Sequence, residues 1–298
     1  MQNGAHYTPP SQPPELDDAV RILWERHHRT AASVGPWLSL SGSTLTTLSS
    51  TQGARANTPL DSNTLLAYYC NETSGTTITN SGNIANANLT ATGSYSIGDG
   101  GLYARGTSAF RLYGAINTDD GFYTSSSSQF SIPTNASGIT NAWTIEVIVM
   151  ITTPTAGTGY ILEMASATRT GALNSIISLQ NVNTTSIVCQ YYSNSTNNQL
   201  TVASSIGVGT RTHLAFVKTS STVTLYANGV NVGSQTAAMS YAGNNPFTQF
   251  AIGNISRTTF NALITNTAFR GLISDVRVSN VARSQAYCIA ATQAMGIL

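Results

Sequence analysis

The chain has 298 residues and a mass of 31.3 kDa, with 13 Lys and Arg against 12 Asp and Glu. Only 8% of positions are charged and the net charge is +1. A typical globular protein carries ~25% charged residues, so this surface must be built from neutral groups, which 25 Asn and 77 Ser and Thr supply. So sparse and balanced a charge gives no field to steer a phosphate backbone, and nucleic acid is excluded as the expected partner. With 41% hydrophobic residues, the chain also falls outside the disordered class.

The amino-terminal stretch differs in kind from the rest. Met1 to Pro10 shows neither a basic start nor an apolar run, so no signal peptide is expected. No window approaches the roughly 18 apolar residues of a membrane span. Pro9, Pro10, Pro13 and Pro14 favour an extended arm. The arm leads into residues 15–29, where Leu16, Ala19, Val20, Leu23, Trp24 and His27 recur at helical spacing. Asp17 and Asp18 near the start, and Arg26 and Arg29 near the end, suit the helix dipole. So short a helix is marginal alone, and its stripe must dock on the protein's own body or on another chain. Residues 39–57 are expected to be a linker or extended arm. An anchoring region over 1–59 and a second domain over 60–298 follow.

From Leu60 onward, short apolar runs alternate with Gly, Asn and Ser, the pattern of an all-β domain. The clearest strand is Trp143 to Ile151, apolar on both faces and therefore expected to be covered on both. Further strands are expected over 160–164, 175–179, 186–192, 212–218, 222–227, 230–232, 250–253 and 271–279. Asn228-Gly229 supplies a type I′ turn between two of them. So many short strands, with no internal repeat, argue a β-sandwich.

Cys70, Cys189 and Cys288 are odd in number and far apart. They are expected to be buried free thiols rather than a zinc or redox motif.

Five pieces in order resemble a known family. Leu65 to Tyr69 with the Ser74-Gly75-Thr76-Thr77 loop is similar to an opening strand and its "SGTT" loop. Trp143 to Val147 resembles a central "FTIEFW" strand. Thr212 to Lys218 and Val223 to Val230 resemble the "WHHVAFV…LYVNG" hairpin. Phe250 to Gly253 resembles "LTIG", and Phe269 to Val278 resembles "FNGYIDDVRIY". The resemblance is to laminin-G-like, or concanavalin A-like, jelly rolls and covers about residues 60 to 295. It implies two antiparallel sheets packed face to face. Members of that family bind glycans, proteins or calcium, and some hydrolyse polysaccharides. Many are display modules on bacteriophage heads, tails and fibres or on bacterial surface proteins.

Glycoside hydrolysis needs two carboxylates across one bond. Glu146, Glu163 and Asp275 each stand alone on their strands, so no catalytic residue is expected, and Glu146 is read as structural. His27-His28 are adjacent and would not share a helical face for metal ligation. His213 is read as a strand residue. Asp119 and Asp120, with Asn117 and Asp99, form the best calcium-like cluster, yet Asp-Gly pairs are common turn formers, and neither metal nor cofactor is expected. No phosphate-binding loop and no G-x-S-x-G elbow occur. Sugars are bound by aromatic faces and amides. Tyr191 and Tyr192 with Asn194, Asn197 and Asn198, and Tyr241 with Asn244 and Asn245, are the candidate sets.

Together these features point to a non-enzymatic bacteriophage virion surface protein, made in the host cytoplasm and facing outward on the particle. Its arm would hold a capsid or tail protein through Leu16, Val20, Leu23 and Trp24, in an arrangement compatible with a homotrimer. Its jelly roll would present loops to host-surface glycans. An exported bacterial adhesin and a polysaccharide hydrolase are the alternatives.

Overall fold

The computed structural model describes residues 38–41, 44–47, 60–70, 72, 74–100, 108–112, 120–124, 130–153, 158–166, 174–182, 186–193, 196–203, 206–255, 267–295 and 297. The chain divides into two units, Met1–Gln52 and Gly53–Leu298. In the first, β1 (Leu38–Ser41) and β2 (Thr44–Thr47) form an antiparallel hairpin with Leu40 opposite Leu45 and Ser41 opposite Thr44. Within the stretch 39–57, expected to be a linker or extended arm, the described residues 39–41 and 44–47 are thus paired strands, and the rest lies outside the described residues. Leu38 and Leu40 alternate with Ser in β1, and Leu40 meets Leu45 of β2 across the ladder. The striped segment 15–29 lies outside the described residues.

In the second unit the first strands are β3 (Thr64–Tyr68), β4 (Thr77–Ile78), β5 (Leu89–Thr92), β6 (Tyr95–Gly100), β7 (Ser108–Leu112) and β8 (Gly121–Tyr123). Next come β9 (Trp143–Ile151), β10 (Thr158–Ala165), β11 (Ser175–Val182), β12 (Ser186–Ser193) and β13 (Thr196–Ala203). The series ends with β14 (Thr212–Lys218), β15 (Thr222–Ala227), β16 (Val230–Thr236), β17 (Gln249–Ile252), β18 (Gly271–Ser279) and helix α1 (Gln285–Ala294). Four strands carry the bounds that their apolar patterns predict, at 143–151, 212–218, 222–227 and 271–279.

The strands form two antiparallel sheets. One has the order β13-β12-β11-β10-β17-β8-β5-β4, here called the amide sheet. The other has the order β16-β15-β14-β9-β18-β7-β6, with β3 beside β18, and is called the ionic sheet. Alternation fixes which side chains face inward. In β12, Ile187, Cys189 and Tyr191 are buried in the core, while Ser186, Val188, Gln190 and Tyr192 on the other face are half-buried. In β9, Trp143, Ile145, Val147, Val149 and Ile151 point into the same core. The Trp143 ring meets Phe216 edge-on at 4.9 Å, and Tyr68 stacks on Phe250 at 5.5 Å. The Tyr68 hydroxyl donates to Ala87 O at 2.6 Å, so this buried ring brings no unpaired polar atom into the core. All three cysteines are buried free thiols.

The helix that the described residues contain is α1, which the sequence pattern did not announce. Its start is set by Ser284, in extended conformation, whose hydroxyl accepts from Tyr287 N at 3.2 Å. Its inner stripe is small, with Cys288, Ala291 and Thr292 buried. That stripe covers the outer face of the ionic sheet, where Ala291 and Met295 pack with Ile148 and Leu272, and Cys288 packs with Ala215 and Val217. The second apolar face of β9 thus has its cover.

Candidate functional site

The sandwich has two outward faces, and the chemistry of the molecule divides between them. Under α1, the ionic sheet buries a polar cluster built from three strands and the helix. Glu146 on β9 lies opposite Arg277 on β18 in the register. Arg277 forms a two-point pair with Asp275, Nε to Oδ1 at 2.7 Å and Nη2 to Oδ2 at 3.2 Å, with both side chains buried. Asp275 holds φ +47°, a left-handed conformation that Asp tolerates better than most residues, at an irregularity in the β18–β9 ladder. Burial works against the Arg277 charge, but Asp275 and then Glu146 overcome it and raise its pKa above the ordinary value.

His213 on β14 approaches Glu146 Oε1 through Nε2 at 3.3 Å, a close contact rather than an aligned hydrogen bond. Its Nδ1 lies 2.9 Å from Thr292 Oγ1 on α1. Because the Thr292 hydroxyl donates to Cys288 O at 2.8 Å, it can only accept from His213, which places a proton on Nδ1. Tyr287 donates its hydroxyl to Glu146 Oε2 at 3.3 Å. Burial and the Glu146 charge push the Cys288 thiol up to about 12. At the cluster's edge, Arg283 grips Asp61 in a fork, at 2.7 and 2.9 Å, and lies 4.7 Å from the centre of the Tyr287 ring. Glu146, His213, Asp275, Arg277, Arg283 and Tyr287 each have at least one partner within the protein, while Glu146 Oε1, His213 Nε2 and Arg283 Nε are buried without a hydrogen bond. Glu146 and His213 are each 1% exposed, so neither meets a ligand at the surface.

The outward face of the amide sheet is different. Directly paired residues share a face, so the register reads off its rows. One row runs Glu163, Ser178, Gln190, Gln199, from β10 through β11 and β12 to β13. In the other direction it continues from Glu163 through Ala251 to Tyr123. A neighbouring row runs Gln249, Ala165, Ile176, Tyr192, and a third runs Tyr160, Gln180, Val188, Thr201. Gln180 joins two rows, donating through Nε2 to Ser178 Oγ at 2.9 Å and to Gln190 Oε1 at 3.1 Å. Gln199 and Thr201 are exposed; Gln190, Tyr192, Ile176, Val188 and Tyr123 are half-buried. Glu163, Ser178 and Gln249 are buried. The strands of this sheet contain a single charged residue, Glu163. Such an array of fixed amides and hydroxyls beside tyrosine and aliphatic surface can hydrogen-bond and stack; it carries no acid–base pair. Glu146 and Glu163 lie on the outer faces of different sheets, with the core between them, and cannot flank one bond.

The residues expected to bind sugar are redistributed by the fold. Tyr192 lies on this outward face. Asn245 is half-buried, its carbonyl accepting from Ser175 Oγ at 3.0 Å. Tyr241 is corrected to a framework residue: its ring is fully buried against Phe247, and its hydroxyl donates to Ile176 O at 2.8 Å. Asn244 is likewise buried and donates to Asn174 O and Ser193 Oγ, tying its loop to the ends of β11 and β12. Neither presents a free sugar-binding surface. Tyr191 points into the core, while Asn197 and Asn198 belong to β13 rather than to a loop. Asn194 and Asp119 lie outside the described residues. Asp120 is buried, with Oδ1 accepting from Ser94 N at 2.6 Å in the turn between β5 and β6. Among the described residues no group of three or more His, Cys, Asp or Glu could hold a metal ion, and no helix is long and apolar enough to cross a membrane. The polar rows themselves were missed. The alternation of β12 marks Gln190 and Tyr192 as outward, but their neighbours become known only with the register.

The two antiparallel sheets, one outward face covered by α1 and the other polar, form a β-sandwich. Residues 124–287, more than half of the chain, match the family Laminin_G_3 of the concanavalin A-like lectin/glucanases superfamily, and the chain belongs to that family. No curated protein matches the chain. Among solved structures, the binding domain of botulinum neurotoxin DC in complex with rat synaptotagmin II aligns with a TM-score of 0.56 at 12% identity. It covers 78% of this chain and 52% of that one. A structure of botulinum neurotoxin type C, whose cell entry is described as dependent on two ganglioside molecules, aligns with a TM-score of 0.55 at 11% identity, covering 78% and 51%. A mutant Trypanosoma rangeli sialidase with trans-sialidase activity aligns at 0.52 and 9% identity, covering 79% and 33%. The chain thus spans about half the length of the toxin chains and a third of the sialidase. At these identities the likeness is one of fold.

Proposed function

We propose that the protein is a non-enzymatic, glycan-binding display module. The observation that carries this reading is the outward face of the amide sheet, where Gln180, Gln190, Gln199, Ser178 and Tyr192 are brought into adjacent rows. Amides offer a donor and an acceptor at one position, and an ordered array of them loses little freedom on binding. The ganglioside dependence described for the botulinum type C structure supports the use of this fold for glycans. The isolation of Glu146 beneath α1 and of Glu163 on the other sheet supports a binding role without hydrolysis.

The location we propose is the surface of a bacteriophage virion, with the amino-terminal region as the anchor to a capsid or tail protein. This reading is supported by the Pro-rich start, the apolar stripe of 15–29 and the low charge of the whole chain. The division of Met1–Gln52 from the sandwich fits a region with a separate task. The test is sedimentation of particles carrying the full chain or a chain lacking residues 1–57, with each protein also incubated with polysaccharide. The full chain should sediment with particles and the truncated one should not, and neither should release reducing ends. Release of reducing ends that Glu146→Gln abolishes would replace this reading with a hydrolase. A full chain that stays free of particles would remove the virion location.

A further inference from the structure

We propose that the ligand of the amide-sheet face is an uncharged oligosaccharide lying across the strands, recognised through its hydroxyls rather than through charge. The inference rests on the glycan-binding reading and adds the class of glycan. Its basis is the segregation of charge among the described residues. The described basic residues are Arg111, Arg211, Lys218, Arg270, Arg277 and Arg283. Arg111, Lys218 and Arg277 sit on strands of the ionic sheet, and the other three flank its strands. None is on a strand of the amide sheet. A sialic acid, uronic acid or sulfate needs a cationic or multiply donating pocket to replace its lost water. The described strands of this face instead carry one carboxylate and otherwise neutral side chains.

The polarity of the margin points the same way. Gln249, 4% exposed, lies two positions from Ala251 on the same outward face, and its Oε1 is buried without a hydrogen-bond partner. An acceptor without a donor is matched by a hydroxyl, which can donate. A carboxylate or sulfate would bring only further acceptors. The rows also give a length. Glu163 and Ser178 are buried, so the accessible part of the rows runs from Ile176 on β11 through Tyr192 and Gln190 on β12 to Gln199 on β13, two inter-strand steps or about 10 Å at ~4.8 Å each. A row of that length suits a short chain of sugar rings better than a single one, with Tyr192 and Ile176 in the neighbouring row offering apolar surface to ring faces.

The experiment is calorimetric titration of the full chain with two matched panels, neutral oligosaccharides and their sialylated, uronic or sulfated counterparts. Each is run at about 50 mM and about 500 mM salt, which shortens the screening length from about 14 Å to about 4 Å. Neutral oligomers should bind better than their monosaccharides, with affinities that agree within about twofold between the two salts. Gln190→Ala and Tyr192→Ala should each weaken binding by about tenfold. Exposed Gln199→Ala should weaken it severalfold with an unchanged melting temperature, which guards against a folding artefact. Preference for the acidic panel, with affinity that falls as salt rises, would overturn this inference and leave glycan binding standing. Binding to neither panel would overturn the glycan-binding reading, and this inference with it.

Discussion

The two outward faces of the sandwich are built from the same strand alternation and do opposite things. On the ionic sheet, outward side chains include Glu146, His213 and Arg277, and a helix of small residues closes over them until they are almost wholly buried. On the amide sheet, outward Gln, Ser, Thr and Tyr stand beside Ala, Ile, Val and the one carboxylate Glu163. The outward residues Glu163, Ala165, Gln249 and Ala251 of β10 and β17 are buried, while Gln190 and Tyr192 on β12 and Gln199 and Thr201 on β13 remain half-buried or exposed. Charge placed in the interior has to be paired, so the covered face is committed to stability. Neutral polar groups left at the surface satisfy one another or water cheaply, so the open face is available for recognition. Polarity alone therefore does not mark a site in this molecule; what covers it does.

The comparison can be broken most forcefully on the covered face. Asp275→Ala leaves Arg277 buried without its closest partner and should cost about 3–5 kcal/mol in denaturant unfolding. A loss within measurement error would show that the cluster is not a structural unit. Glu146→Gln keeps the shape and an amide oxygen that can accept from Tyr287, but removes one of the charges that face Arg277. It should cost about 1–3 kcal/mol, read by the same unfolding curves, with affinity for any glycan unchanged.

At the cluster's edge the effect is smaller and depends on pH. The Arg283 hydrogen bond holds the Asp61 carboxyl well below the usual carboxylate range, although this side chain is 40% exposed. A depressed folded value means that the pair stabilises fully above the unfolded carboxylate value of ~3.9 and loses that contribution as pH falls toward the folded one. After solvent screening the gap between the protein and Asp61→Asn should stay below ~1 kcal/mol at neutral pH and close in acid. A gap that widens on acidification would contradict the sign. The smallest effect belongs to the open face, where Gln199→Ala should change stability by no more than about 0.5 kcal/mol.

Much of this division was legible in the residues, for reasons that can be named. The strand of β9 is apolar throughout its inner side and again at Ile148 and Met150 on the other, which calls for two covers, and the core and α1 are those covers. The alternation of β12 states which of its residues point outward. Other features were hidden. Helix α1 has a small, weakly apolar stripe, and the Ser284 cap is its clearest local mark. Strand β13 is absent from the expected elements because its first half, Thr196 to Gln199, holds no apolar residue. Tyr241 sits among Ala, Gly and Asn, and nothing local distinguishes a ring held inward against Phe247 from one offered to a sugar. The rows across the amide sheet join residues from β10 to β13, and only register brings them together.

The most direct test of the division is to titrate the best-binding neutral oligosaccharide into isotope-labelled protein and follow amide resonances, side-chain amides included. The account predicts shifts concentrated at Gln180, Gln190, Tyr192 and Gln199, with α1 and the signals around Glu146 and His213 unmoved. Shifts centred on α1, or confined to loops away from the amide sheet, would contradict it.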